Sequence, residues 1–541
     1  MGKDMFINVI LITVFFYTVI KKSKRSLHMF QQNLYNENNR YMKWLKNNLK
    51  EGFYYLDIVT LPLIVISMFF DNTIGLVLKI AVLFLLFLEC ANIDETILGE
   101  KQKKPLVITA RVKRQMFTLY LINLIPYAIM LLNVMDKNAT KIALLISNIL
   151  LTLNYLLVEI VKIINTPVEK SVYYKFWFSA RKKLKSLPNL EVIGITGSYG
   201  KTSSKNILNS ILSVSYITHP TPKNYNTDVG LMSTINNDLD KFDEIFIAEM
   251  GAYRVGRIKN SCNLVRPKYG ILTTIGKAHL ETFKTEENII STKFELIESL
   301  PSDGIAFLNM DDKKQVNHKI KNKVKVVWYA VDNDKASVYA KNIKCTSKGS
   351  EFDVNFKDED KLYHFETKLL GRHNISNIIS SLAVGHEFGI PVEKLQIAVK
   401  EIQPIEHRLE LKKLGKMYQI DDAYNSNPVG AKVALDVLNM MNGTKVVVTP
   451  GMVELGKEQE KANYEFGRQI AEVADHVILV GEKQTKPIYN GLIDNKFDKK
   501  KITITNDVRE TYNMVNNLKK DKDIYALYEN DLPDNYNELN K

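Results

Sequence analysis

The sequence predicts an α-helical membrane domain followed by α/β domains whose sheets are mostly parallel. Apolar runs fill much of the first 165 residues, and several are near the length needed to cross about 30 Å of hydrocarbon. From about residue 190, short apolar strands alternate with helical stretches, as in a parallel sheet covered by helices. A glycine-rich turn stands between the first of these strands and a helix, which is typical of a phosphate-binding loop.

Length, charge and cysteine content narrow the class of protein. A chain of 541 residues suggests about three or four domains. The net charge of +13 gathers around the apolar runs near the N-terminus, which favours a membrane surface over nucleic acid as the partner. The sequence has no zinc-finger spacing and no aromatic RNP-like strand pair, so no nucleic-acid partner is predicted. The three cysteines lie far apart and fit a reducing compartment.

Five apolar runs predict about five membrane spans. The first, residues 5–20, is uncharged and is followed by a cluster of lysines and arginine, whereas a cleaved signal peptide carries its charges before the apolar run. The other four runs are at about 54–70, 74–91, 115–135 and 141–164. Two of these, 54–70 and 74–91, are short or carry a charge near one end, and such a charge can reach the interface.

The connecting loops predict the orientation of the membrane domain, 1–165. Loops 21–53 and 92–114 are rich in lysine and arginine, whereas 71–73 and 136–140 are nearly free of them. Positive loops stay in the cytoplasm, so the N-terminus is predicted outside and everything after residue 165 inside, at the cytoplasmic (inner) membrane of the cell. A water-soluble helical domain is the alternative, but it would not produce alternating loop charge.

Three further segments follow the membrane domain. Residues 166–187 mix aromatic and basic side chains, which predicts an interfacial helix on the inner leaflet, with a plain linker as the alternative. Residues 188–402 are predicted to form an ATP-binding domain and 403–541 a C-terminal α/β domain that resembles a dinucleotide fold. Strands of this last domain are predicted at Gly415–Ala423 and Thr444–Pro450.

The predicted phosphate loop follows the apolar strand Glu191–Ile195. Gly197 and Gly200 allow a tight turn, and Lys201 and Thr202 open a helix. In such a loop the backbone N–H groups cradle the anion, the lysine reaches the outer phosphates and the threonine hydroxyl can ligate Mg²⁺. The spacing departs from G-x-x-x-x-G-K-[ST] because position 195 is isoleucine. A glycine-rich helix cap is the alternative interpretation.

Three polar residues near strand ends are candidates for metal binding or catalysis. Glu249 directly follows a strand, where a carboxylate beside a phosphate loop is well placed to hold Mg²⁺. His279 follows the predicted strand 269–275, and Lys293 lies at the start of a helix. Taken singly, they also fit a solvated loop acid, a structural histidine and a helix-surface lysine.

The order of these motifs resembles the Mur ligases, the ATP-dependent enzymes that build the peptidoglycan stem peptide. The sequences of these motifs are most similar to those of the D-alanyl-D-alanine-adding branch, MurF. The resemblance extends from about residue 190 to the C-terminus. The segments that carry it are 196–203, 223–230, 249–252, 278–281, 293–295, 371–377, 407–410, 421–428 and 451–456.

The resemblance implies a role for each candidate residue. The catalytic group would be Lys201, Lys293, His279 and Arg408. ATP would be held by Gly197, Ser198, Gly200, Lys201, Thr202, Ser203, Asn374, Asn377, Arg408, Asp422 and Tyr424. Two Mg²⁺ ions would be held by Thr202, Glu249, His279 and Lys293, with Lys293 carbamylated as in this family.

The reaction implied is formation of an amide bond. A carboxylate would first take the γ-phosphoryl group of ATP to become an acyl phosphate, and an amine would then displace phosphate. The amine would be an amino acid or a dipeptide. Closure of the C-terminal domain, which the family implies, would exclude water from the acyl phosphate.

One departure from the family leaves the acceptor open. Members normally begin with an α/β domain that grips a uridine-diphosphate sugar, whereas here apolar runs and a basic linker occupy those positions. The acceptor is therefore either the soluble UDP-linked muramoyl peptide or a lipid-linked or polymeric carboxylate, and five spans favour one near the membrane. A poly-γ-glutamate-type ligase and a catalytically silent membrane scaffold remain alternatives. The oligomeric state is not predicted.

Overall fold

A computed structural model of the chain describes residues 3–53, 55–70, 72–98, 105–132, 136–359, 361–415, 417–423, 426–453, 455–518 and 523–531. These residues divide into a helical unit that extends to Tyr173 and an α/β unit that begins at Tyr174. The division falls within one long helix.

The helical unit is built from apolar helices. Their bounds are α1 Lys3–Gln32, α2 Arg40–Asn47, α3 Leu49–Gly52, α4 Tyr55–Ser67, α5 Thr73–Leu98, α6 Ala110–Asn123, α7 Ile125–Leu132, α8 Lys137–Thr152 and α9 Asn154–Lys185, with a 3-10 turn at Leu34–Asn39. A buried cluster that includes Phe15, Ile64, Leu86 and Leu144 joins helices α1, α4, α5 and α8.

The described helices support fewer membrane spans than the five that the sequence predicts. Three segments are long and apolar enough to cross a bilayer: Phe6–Gln32, Thr73–Asn92 and Ala110–Leu132. The run at 54–70 forms α4, whose 13 residues fall short of the roughly 20 that a span needs. The run at 141–164 is divided between α8 and α9, which meet at 89°. Counting this bent pair as one span gives four.

The first sheet of the α/β unit is the predicted, mostly parallel one. Its described strands are β1 Glu191–Thr196, β2 Thr218–Pro220, β3 Ile245–Glu249, β4 Tyr269–Leu272, β5 Ile305–Asn309, β6 Lys325–Ala330, β7 Val338–Thr346, β8 Gly349–Phe356 and β9 Leu362–Thr367. The order is β2-β3-β1-β4-β5-β6-β7-β8-β9. Pairing is parallel from β2 to β7 and antiparallel from β7 to β9. The sheet is therefore mixed, and its predicted parallel strands are confirmed.

Helices cover this sheet and complete its core. They are α10 Lys201–Leu212, α11 Asp228–Asn237, α12 Arg257–Val265, α13 Leu280–Phe283, α14 Glu286–Glu298, α15 Lys313–Val316, α16 Arg372–Glu387 and α17 Val392–Glu401. Ile207 and Ile211 of α10 share one buried cluster with Ile378 and Leu382 of α16. The helix that begins at the phosphate loop is thus packed against α16, which lies much later in the chain.

The second sheet follows the same plan. Its described strands are β10 Glu410–Leu414, β11 Met417–Asp422, β12 Thr444–Thr449, β13 His476–Val480, β14 Ile502–Thr505 and β15 Ile524–Glu529, in the order β10-β11-β15-β12-β13-β14. Only β10 pairs antiparallel within this set. The helices are α18 Pro428–Asn439, α19 Gln459–Val473, α20 Lys486–Asp494 and α21 Val508–Asn516, with 3-10 turns at Gly456–Glu458 and Lys499–Lys501. The strands predicted near 415–423 and 444–450 are confirmed.

Candidate active site

The predicted phosphate loop lies between β1 and α10. Gly200, the residue before α10, has a left-handed backbone with φ of 79°, and no side chain caps the helix. A Cβ on Gly197 would lie 1.8 Å from Oγ1 of Thr273, so only glycine fits there. An uncapped helix N-terminus presents backbone N–H groups and a positive dipole end, which suit a phosphate.

Hydrogen bonds to the chain after β4 fix the shape of the loop. Ser198 donates its backbone N–H to the Thr274 carbonyl at 2.8 Å and its hydroxyl to the Gly276 carbonyl at 2.9 Å. The Thr273 hydroxyl donates to the Tyr199 carbonyl at 2.6 Å. The loop is therefore braced by the strand end that leads to His279.

Lys201 lines a cavity of about 280 Å³. Its Nζ donates to the carbonyls of Gly197 at 2.9 Å and Ser198 at 3.2 Å. Burial lowers the pKa of Lys201, an effect that Glu249 opposes and Arg408 reinforces. The residues that line this cavity are Ser198, Tyr199, Gly200, Lys201, Thr202, Ser203, Asn226, Glu249, Ala278, His279, Arg408, Ser426, Asn427, Val453 and Leu455.

Glu249 ends β3 and lies directly beside the loop, because Ile195 and Glu249 are partners in the parallel ladder. Its Oε1 accepts hydrogen bonds from Oγ1 of Thr202 at 3.0 Å and Nδ2 of Asn226 at 3.1 Å. Its Oε2 is 3.2 Å from Nζ of Lys205. Glu249 is fully buried, so a carboxylate that the sequence leaves open as a solvated acid is instead held by three side chains.

A second cavity of about 100 Å³ joins His279 and Lys293 to the loop. Gly197, Lys201 and Asn226 also line it. Lys293 is only 3% exposed, and burial, followed by the charge of Lys201, holds its pKa well below the ordinary value. A lysine in this setting favours its neutral amine form.

The C-terminal domain contributes Arg408 to the larger cavity. Beside it, Asp422 of β11 and Glu529 of β15 are partners in the parallel ladder. Burial raises the pKa of both carboxyl groups, that of Asp422 to about 6 and that of Glu529 well above its ordinary value. The charge of Asp422 raises the pKa of Glu529 further, whereas Arg408 lowers both pKa values. Ser426 donates its hydroxyl to Oε1 of Glu529 at 2.6 Å. The pair therefore favours holding a proton.

The predicted nucleotide contacts of Asn374, Asn377 and Tyr424 are not tested by the structure. Asn377 is behind the loop, where its Oδ1 accepts from the Ser204 hydroxyl at 3.1 Å. Asn374 donates Nδ2 to the Leu370 carbonyl at 2.9 Å. Neither asparagine is among the residues that line the two cavities, so their contact with adenine stays a prediction. Tyr424 lies outside the described residues.

Two oxygen donors suit one of the two magnesium ions that the resemblance implies. The Thr202 hydroxyl and the Glu249 carboxylate lie within 3.0 Å of each other at the cavity wall, and such hard oxygen ligands are those that Mg²⁺ prefers. Within the described ranges, no group of three or more histidine, cysteine, aspartate or glutamate side chains could hold a metal. Mg²⁺ in nucleotide sites is usually held by one or two carboxylates together with substrate phosphates.

Comparison with known families identifies the two domains that form this site. The sequence profile of the Mur ligase middle domain matches residues 195–385. The profile of the Mur ligase glutamate ligase domain matches residues 407–527, and the two matches together cover more than half of the chain. The chain belongs to the Mur ligase family.

Curated Mur ligases resemble this chain over part of their length. The UDP-N-acetylmuramoyl-tripeptide–D-alanyl-D-alanine ligase of Escherichia coli K12 is 32% identical over 54% of this chain and 65% of its own length. The enzyme of the same name from Bacillus subtilis 168 is 29% identical over 54% and 63%. The chain thus spans less than two thirds of these relatives.

Solved Mur ligase structures share the fold. MurF of Thermotoga maritima in complex with ADP aligns with a TM-score of 0.59 and 25% identity, over 66% of this chain and 80% of that one. MurF of Acinetobacter baumannii aligns with a TM-score of 0.60 and 24% identity, over 66% and 77%.

Three residues of the site in this Mur ligase, Lys205, Asn226 and Glu529, were not predicted as site residues from the sequence. Lys205 and Asn226 hold Glu249, and Glu529 pairs with Asp422. The position of Lys205 gave a signal, because it follows Lys201 by one helical turn and lies three residues before Leu208 and seven before Leu212, beside the apolar residues of the helix. The sequence did not reveal the partner of Glu529, since that depends on which strands are neighbours.

The Asp422–Glu529 pair predicts how the stability of this Mur ligase varies with pH. Because folding raises these pKa values, the folded state binds more protons than the unfolded chain, and stability falls as pH rises from about 4 through the raised values. Glu529→Gln cannot ionise and keeps an oxygen for Ser426. We expect its apparent Tm to exceed that of the natural protein at pH 8, by an amount equivalent to about 1–2 kcal/mol, and to differ less at pH 5.

Thermal unfolding of the full chain at the two pH values measures this effect. Glu472→Gln, on the exposed face of α19, is the matched control and should leave the pH dependence unchanged. An equal Tm difference for Glu529→Gln at both pH values would contradict the protonated pair.

Proposed function

We propose that this protein is an ATP-dependent ligase of the MurF type, which joins a carboxylate to an amine in peptidoglycan synthesis. The proposed substrates are those in the relatives' name, a UDP-N-acetylmuramoyl-tripeptide and D-alanyl-D-alanine. One observation carries the proposal: two cavities that share the phosphate loop are lined by the residues with predicted catalytic or metal-binding roles. These residues are Lys201, Thr202, Glu249, His279, Lys293 and Arg408.

The chemistry assigns a task to each of these residues. The loop and the N-terminus of α10 would bind the outer phosphates of ATP. A carboxylate oxygen of the acceptor would attack the γ-phosphorus, and the bond between that phosphorus and ADP would break. Lys201 and Arg408 would offset the negative charge that develops in this step. The amine nitrogen would then attack the acyl carbon, inorganic phosphate would leave, and the amine would lose its proton to solvent. Thr202 and Glu249 would hold one Mg²⁺, which neutralises phosphate oxygens when bound.

The proposed modification of Lys293 follows from its burial. A neutral amine reacts with CO₂ to give a carbamate and a proton, and the low pKa of Lys293 supplies that neutral amine. The carbamate would give the smaller cavity an anion beside His279, where a second Mg²⁺ could be held. No ion-pair partner for Lys293 is found among the described residues.

We expect the full chain, incubated with ¹³C-bicarbonate, to show a carbamate carbon signal that is absent from Lys293→Met. Activity of Lys293→Met should fall by about 10²-fold or more, since one electrostatic contact in a site contributes about that much. Lys284→Met, near the site on the same segment, is the control. A carbamate signal of equal size in both variants would contradict the assignment.

The location at the inner membrane is also part of the proposal. Apolar helices before residue 173 and the alternating loop charge support a multi-pass domain with the ligase domains in the cytoplasm and the N-terminus outside. The same features support an acceptor that is presented at the membrane, such as a lipid-linked muramyl peptide.

The deciding experiment incubates the purified full chain in detergent with ATP, Mg²⁺, D-alanyl-D-alanine and either the UDP-linked tripeptide or its lipid-linked form. Phosphate release that needs both the amine and the acceptor, with the matching gain in product mass, is the expected result. Product from the lipid-linked form alone would restrict the acceptor to the membrane. Phosphate release that ignores both substrates would overturn the ligase proposal.

A further inference from the structure

The last three turns of α9, residues 174–185, belong to the α/β unit and carry an ordered pattern of side chains. Aromatic residues come first and basic residues follow, at spacings of three and four that place them on one helix face. We call this set the aromatic–basic face; its members are Tyr174, Trp177, Phe178, Arg181, Lys182 and Lys185. The segment 174–185 contains no acidic residue.

The opposite side of this helix is fixed to the ATP-binding domain. The Ser179 hydroxyl donates to Oδ1 of Asn236 at 2.8 Å, and Nζ of Lys183 donates to the Asn236 carbonyl at 3.1 Å. Ala180 is fully buried. The helix therefore cannot roll on the domain, and the direction of the aromatic–basic face is set by the fold.

Large aromatic side chains on this face are exposed. Tyr174 is 54% and Phe178 is 66% exposed, and their rings lie 6.4 Å apart. Beside them an open groove of about 530 Å³ is lined by Trp177, Phe178, Arg181, Lys182, Lys185 and Asn263. Arg181 donates to the Asn263 carbonyl at 3.0 Å, which holds one wall of the groove in place.

We propose that the aromatic–basic face binds the anionic headgroup layer of a phospholipid bilayer. Amphipathic aromatic rings settle at the headgroup level of a membrane, and lysine and arginine beside them attract anionic lipids. A groove with three cations and no carboxylate in its lining complements lipid phosphates in charge. The face would hold the ligase domains against the inner leaflet, and it is independent of the reaction that they perform.

The test uses the full chain in lipid nanodiscs that are either neutral or one third phosphatidylglycerol. A fluorescent probe is attached at Phe178→Cys, in a background where the partly exposed Cys345 is replaced by serine. Lys461→Cys, exposed on α19 of the same unit, carries the control probe. We expect nitroxide-labelled lipids to quench the probe at 178 several-fold more than at 461, with the difference largest in anionic discs and reduced by high salt.

Charge reversal separates lipid binding from other occupants. Lys182→Glu combined with Lys185→Glu, both exposed positions, should remove the extra quenching at 178 while ligase activity in detergent and the apparent Tm are unchanged. Equal quenching at 178 and 461, or quenching that survives the charge reversal, would overturn the proposal. The proposal would also be overturned if the probe at 178 is shielded from solvent in detergent without lipid, because a protein surface would then cover the aromatic–basic face. Neither result bears on the ligase assay.

Discussion

Lys201→Ala is expected to lower the rate of substrate-dependent phosphate release by about 10³-fold or more, because preorganised charge around a transferring phosphoryl group is usually the largest catalytic contribution. The lysine ammonium reaches the loop carbonyls at 2.9 and 3.2 Å and lines both cavities. Folding should be preserved, since burial already disfavours the charged form of Lys201. Steady-state kinetics and apparent Tm together measure the two effects.

Two further variants sharpen the Lys201 experiment. Lys201→Arg keeps a positive charge, but a planar guanidinium does not replace a compact ammonium within a tight loop, so most of the activity should still be lost. Lys461→Ala removes an exposed lysine far from the loop in sequence and should leave the activity and the apparent Tm unchanged. If the activity of Lys201→Ala is within tenfold of that of the natural protein, the proposed catalytic role of the phosphate loop is wrong.

Lys205→Met is expected to destabilise the protein by about 3–5 kcal/mol, the usual cost of removing one partner of a buried ion pair. Lys205 is 1% exposed and Glu249 is fully buried, with 3.2 Å between Nζ and Oε2. Lys205 also donates to the Lys223 carbonyl, so its loss frees the segment that carries Asn226. Activity should fall as well, because Glu249 would no longer be held at the cavity wall.

A double variant tests whether the uncompensated charge is the cause. Lys205→Met with Glu249→Gln removes both charges, and we expect most of the lost stability to return while activity stays low. Thermal unfolding of the single and double variants completes the cycle. Lys461→Met serves as the exposed control. If the double variant is as unstable as the single one, packing of the Lys205 stem rather than its charge is responsible.

The sequence was sufficient for those parts of the site that depend on local pattern. The strand, the glycines and Lys201 form the loop as predicted, and a carboxylate at the end of β3 lies beside it. Parallel strands bring their carboxyl ends to one edge, so Glu249 could be expected near the loop without knowing the strand order. The register that pairs it with Ile195 came only from the structure.

Features that depend on distant partners were not accessible from the sequence. The Asp422–Glu529 pair requires β15 to lie beside β11, and the position of Lys205 in its helix does not reveal that its partner is Glu249. The prediction of five spans is supported only in part among the described residues. Hydropathy marked the run at 54–70, but the helix there begins at Tyr55 and ends at Ser67, and its 13 residues fall short of the roughly 20 that a span needs.

The hydrogen bond between Ser204 and Asn377 has a consequence for biosynthesis. These two residues are 173 positions apart in the chain, yet Asn377 supports the first turn of α10 from behind. A ribosome adds residues at about 5–20 per second, so many seconds separate the emergence of the loop from that of its support. During this interval the nascent chain contains the complete phosphate-loop motif but lacks Asn377, the residue that accepts the hydrogen bond from Ser204.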